Sequence, residues 1–141
     1  MTTMIYVLIG VAVLIAAIIA ISKYSAGKAA LRNRYLHIFN AFRDVHLTIV
    51  QRGTIDMEEL REFALGMGEK DVLFKNDKAM LNFIDEYYKK CADLNRKGER
   101  LKTAESKDDI ALMESDRKKM IDWFRQQTDG IKQRFEKYLV T

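Results

Sequence analysis

The chain has 141 residues, enough for one soluble domain and an anchor, with 24 basic residues, 20 acidic residues and a formal net charge of +4. Residues 1–22 contain no Lys, Arg, Asp or Glu, so all the side-chain charge falls in residues 23–141. Proline is absent where ordinary usage of ~5% would give roughly seven, and no β-branched/polar alternation occurs outside the apolar N-terminus, which argues against a sheet protein and favours long helices.

Residues 4–21 read MIYVLIGVAVLIAAIIAI, a run of 18 uncharged residues. As a helix it spans roughly 27 Å, close to the hydrocarbon thickness of a bilayer. Tyr6 and Tyr24 stand at its ends, where tyrosine suits the membrane interface. The rival is a cleavable signal peptide, with Ala20 and Ser22 as small residues before a cut. However, MTTM carries no side-chain positive charge, and the apolar run is longer than a usual signal core. Residues 1–22 therefore read as a transmembrane anchor. Ala12, Ala16 and Ala20 share one face at a spacing that lets two membrane helices approach, a route to a homo-oligomer.

Lys23, Lys28, Arg32, Arg34 and Arg43 follow the anchor before the first acid, Asp44. The other flank offers only the terminal amine. The positive-inside rule then places the C-terminal domain in the cytoplasm and the N-terminus outside. The basic cluster Lys23, Lys28, Arg32 and Arg34 also suits anionic lipids, at ~1 kcal/mol per residue near the surface.

Residues 23–54 form the juxtamembrane segment and first bundle helix. Its seam is Leu31, Tyr35, Ile38, Phe42, Val45 and Ile49, in steps of four and three. Gly53 reads as its stop, and Gly27 as the weakest point between anchor and helix. Residues 55–141 hold the remaining helices. Asp56 and Glu59 have capping-box spacing and open a short helix along Leu60, Phe63, Ala64 and Met67, with a bend or end expected near Gly66 and Gly68. Val72, Leu73 and Phe74 form an apolar patch expected to pack over the bundle. Asn76 is the expected cap of the next helix, whose seam is Met80, Ile84, Tyr87, Cys91, Leu94 and Leu101. Ser106 and Asp109 open the last helix, with Ile110, Met113, Met120, Phe124, Ile131, Phe135 and Tyr138 on its seam, Arg117 and Gln127 interrupting the pattern and Gly130 as a loosening point. The expected fold is all-α: one transmembrane helix, then an antiparallel bundle of three long helices and one short one.

Catalytic patterns are missing. His37 and His46 are nine residues apart on opposite faces, so both read as surface or boundary residues. Cys91 lies on the apolar seam and reads as a small hydrophobe; as a single cysteine it forms no internal disulfide, which suits a reducing compartment. The acidic pairs Glu58-Glu59, Asp85-Glu86 and Asp108-Asp109 diverge on their helices, and neither histidine has an acid three residues before it. Gly66-Met67-Gly68-Glu69-Lys70 lacks the spacing of a phosphate loop. No cofactor or metal is expected. The charges beyond Arg43 are well mixed, which favours lipid over nucleic acid for the basic stretch. Trp123, beside the seam residue Phe124, is the better candidate for a partner interface.

Leu73-Phe74, Ile84-Asp85-Glu86-Tyr87, Lys89-Lys90, Trp123-Phe124 with Gln127, and Phe135 with Tyr138-Leu139 make the chain resemble a group of small bacterial helical proteins. The resemblance covers about Asp56 to the C-terminus; Lys137 stands where that group often has proline. It implies helices and a bacterial setting, hence the inner membrane, and no activity. The function expected is a non-catalytic scaffold, adaptor or regulator that binds a protein partner at the cytoplasmic membrane face. The alternatives are a self-assembling membrane effector of toxin or phage-defence type, supported by the alanine stripe, and an enzyme with a site between helices, which no motif supports.

Overall fold

The computed structural model describes residues 2–139 and divides into two units, one ending at Arg34 and one beginning at Tyr35. The first unit is helical throughout and belongs to α1, Thr2–Arg52. Every described residue of this unit is exposed, including the whole apolar run. The helix passes through Gly10 and Gly27 without a break, so the apolar run and the first bundle helix are continuous as expected. This is one helix long and apolar enough to cross a membrane.

The second unit contains the rest of α1 and then α2 (Met57–Gly66), α3 (Lys70–Leu73), α4 (Lys78–Thr103), α5 (Lys107–Gln126) and α6 (Thr128–Leu139). Each turn has a local cause. Gly53 ends α1 with φ +72° and donates its N–H to the Ile49 carbonyl at 2.7 Å, a left-handed cap that suits glycine. Asp56 caps α2 through a full capping box with Glu59. Ser106 caps α5 by accepting from the Asp109 N–H. The α4 cap is Asp77, not the expected Asn76; its carboxylate accepts from the Met80 N–H at 3.1 Å.

These segments make four arms, with α2–α3 and α5–α6 running opposite to α1 and α4. The direction follows from paired contacts. Phe42 meets Phe63, Phe83, Tyr87 and Phe135, and further along α1 the side chain of Asn95 reaches the carbonyl of Ile55. At the opposite end the Tyr35 ring stacks on Tyr138 and its hydroxyl donates to the Leu73 carbonyl. The core holds most of the expected seam residues: Ile38, Phe42, Val45 and Ile49 are buried with Leu60, Phe63, Met67, Leu73, Phe74, Met80, Ile84, Tyr87, Cys91, Leu94, Phe124, Ile131 and Phe135, while Leu101, Ile110, Met113 and Met120 are half-buried and Ile55 joins the core.

Three expectations fail locally. Leu31, in the first unit, is exposed, and Ala64 and Val72 are exposed because α2 and α3 bury one narrow edge each. Phe83 and Asn95 are buried, widening the inward face of α4 beyond a single seam. The C-terminal arm breaks at Gln127, before Gly130, into α5 and α6.

Gly66 ends α2 against α1, where an added Cβ would lie 2.7 Å from the Ala41 Cβ. Two methyl-sized groups do not fit there. Gly66→Ala is therefore expected to destabilise the bundle by about 1–3 kcal/mol in denaturant unfolding. Unchanged or raised stability would show that α1 and α2 do not meet so closely.

Candidate functional site

Seams bring the helices together, but two polar side chains, besides Asn95, tie them in register. His46 on α1 is buried at 6% exposure, against the boundary position expected for it. Its Nδ1 lies 2.9 Å from the Tyr87 hydroxyl on α4, and its Nε2 lies 2.8 Å from Thr128 Oγ1 at the first residue of α6. Thr128 gives its own proton to the Arg125 carbonyl at 2.9 Å. It must then accept from the imidazole, so Nε2 carries the proton and Nδ1 accepts from Tyr87. The neutral ring makes two bonds, and burial pushes its pKa below the ordinary histidine value. Burial likewise pushes the Tyr87 hydroxyl and the Cys91 thiol up. Cys91 is fully buried and stays protonated, so its chemistry is packing.

Asp77 forms the second tie. Its Oδ2 accepts from the Tyr138 hydroxyl at 2.5 Å and pairs with Lys137 Nζ at 3.0 Å, joining the end of α6 to the start of α4. The Tyr138 bond, the Lys137 ammonium and the Met80 N–H together lower the Asp77 pKa to about 2. Sequence spacing gives no sign of either tie, since the partners are 41, 82 and 61 residues apart.

Trp123 is half-buried at the edge between α5 and α4. Its ring meets Phe124 at 5.1 Å and Tyr87 at 6.1 Å, and Lys90 Nζ lies 5.3 Å from its centroid. His37 is exposed on α1, away from the buried His46 ring. Among the described residues no group of three or more His, Cys, Asp or Glu converges as metal ligands would. In the first unit Lys23, Lys28, Arg32 and Arg34 are all exposed, as are Ala12, Ala16 and Ala20. Lys28 Nζ sits 4.6 Å from the Tyr24 ring centroid, beside the expected interface tyrosine.

The class these features define is a helical protein with one candidate membrane-spanning helix. No family profile, curated protein or solved structure matches the chain.

The His46 tie sets a pH dependence. The folded pKa lies below the unfolded value of about 6.5, so the unfolded chain binds more protons in that window. Stability is fully present above the unfolded value and falls as the pH drops below it. Denaturation midpoints across pH 7 to 5 are expected to decline in the natural protein and to decline less in His46→Gln. Parallel profiles for the two would remove His46 from that role.

Proposed function

We propose that the chain is a single-pass protein of the bacterial inner membrane, with its N-terminus outside and its bundle in the cytoplasm. There it serves as a non-catalytic scaffold, adaptor or regulator for a protein partner. The observation that carries this is the fully exposed apolar run 4–21, followed at once by Lys23, Lys28, Arg32 and Arg34 and by no acid before Asp44. An exposed apolar surface of that length wants hydrocarbon around it, and the charge order sets its direction. The His46, Asp77 and Asn95 side chains each make bonds that hold helices together, so these polar groups are engaged within the fold. Confinement to the membrane raises the bundle's effective concentration toward partners held on the same surface, with no added contact. The exposed cations favour anionic lipids in the same leaflet.

Membrane fractionation with reporter fusions tests this. The full chain is expected to stay in the membrane through carbonate extraction and to keep a C-terminal fluorescent protein bright, while a C-terminal alkaline phosphatase stays inactive. A chain lacking residues 1–22 should be released. Release of the full chain, or an active phosphatase, contradicts the proposal. The alanine face favours the second reading, a self-assembling membrane effector: self-crosslinks and toxicity that both vanish with Ala16→Leu would move the conclusion there.

A further inference from the structure

Where α1 and α2 cross at Ala41 and Gly66, they leave an open groove of about 470 Å³ on their outer side. Its α1 wall runs from His37 to Thr48, roughly 16 Å or three helical turns. Its apolar lining is Ala41, Leu65 and the largely buried Val45 and Phe63, and His37, Asn40 and Thr48 add polar groups along the α1 wall. Leu65 is 73% exposed, more than any other large apolar side chain of the bundle's described residues. The charged residues along the groove are Asp44, Glu59 and Glu62, and neither Lys nor Arg lines it.

The bundle carries no net charge of its own, since the chain's basic excess is Lys23, Lys28, Arg32 and Arg34, all before Tyr35, so an all-acidic lining is a local feature of this groove. The neighbouring groove on the α1–α5 side is lined by Arg52, Arg117, Lys118 and Arg125 against Glu114 and Asp122, so its charges are mixed. In the acidic groove Glu59 is held by Arg52 at 2.7 Å and Asp44 by Arg43 at 3.4 Å. Glu62 makes no ion pair or hydrogen bond among the described residues. A trough three turns long with apolar groups at its centre and carboxylates along its sides fits helix-in-groove recognition, in which side chains at i, i+3 or i+4, and i+7 anchor the ligand. Complementary charge then sets orientation and speeds encounter.

We propose that this groove docks a basic amphipathic helix of a partner protein, two or three turns long. Its apolar side chains lie over Ala41, Val45 and Leu65, and its Lys or Arg side chains face Asp44 and Glu62. The proposal rests on the adaptor reading and names its partner surface.

The test uses the full chain in zwitterionic nanodiscs, with an environment-sensitive dye on Thr48→Cys. Cys91 is fully buried, so one site is labelled. The probes are a 14-residue Leu/Lys amphipathic peptide, its Leu/Gln analogue and its Leu/Glu analogue, with protein-free nanodiscs to correct for lipid uptake. The Leu/Lys peptide is expected to shift the dye at least tenfold more tightly than the Leu/Gln peptide. D44K/E62K, checked for unchanged unfolding, should reverse the preference to Leu/Glu. Equal binding of the neutral and basic peptides, or an unchanged preference in D44K/E62K, overturns the proposal. So does self-association of the peptide-free protein that D44K/E62K abolishes, which would assign the groove to a second copy. Any of these results obtained while the full chain remains carbonate-resistant with a cytoplasmic C-terminus refutes the groove and leaves the membrane adaptor standing.

Discussion

Phe42 is the contact on which the bundle turns. It is fully buried, and its ring meets Phe63 on α2, Phe83 and Tyr87 on α4, and Phe135 on α6. One α1 side chain thus touches three of the helices that pack around it. The neighbours are aromatic in turn: Phe74 meets Phe135 and Tyr138, and Tyr87 meets Phe124. Rings set edge to face add geometric preference to area burial, which fixes how the helices rotate against each other. A core of this kind tolerates little loss, since removing a buried phenylalanine typically costs about 3–5 kcal/mol.

Apolar packing alone specifies register loosely, and the polar ties supply the rest. His46 spans α1, α4 and the start of α6 by two hydrogen bonds, and Asp77 fastens the end of α6 to the start of α4. Between them they hold α6 at both ends, although it is only 12 residues long and separated from α5 by the turn at Gln127. Asn95 does the same at the far end by donating to the Ile55 carbonyl, which follows the Gly53 cap. Leaving a buried polar atom without a partner costs about 1–3 kcal/mol, so these bonds disfavour slipped arrangements that the apolar seams would accept.

Much of this was legible in residue spacing. The seams through Ile38–Ile49, Met80–Leu94 and Phe124–Phe135 appear in the core, and the Gly53, Asp56 and Ser106 caps lie where short-range chemistry puts them. What escaped depends on distant partners. Asn76 and Asp77 are equally good caps by type, and only Tyr138 and Lys137, brought from the far end of the chain, favour Asp77. The spacing of His37 and His46 rightly separated them, yet it carried no sign that Tyr87 and Thr128 would enclose one of them. Gly66 looked like a helix breaker, whereas its missing Cβ also allows the Ala41 approach. The break at Gln127 falls where that residue interrupts the apolar seam, although no glycine or proline marks it as a helix end. The outer groove depends on which faces α1 and α2 leave uncovered, and that is decided by packing.

One helix thus carries an exposed apolar run at its start and the bundle's most connected core residues near its end. Hydrogen exchange by mass spectrometry on the full chain in nanodiscs tests this most directly. Amides of residues 38–49 are expected to be as slow as those of residues 80–94 in α4, and to open together with them when destabilised by denaturant. Fast exchange through residues 38–49 while α4 stays protected would show that α1 is not the core helix of the bundle, and the structure built on Phe42 would fail with it.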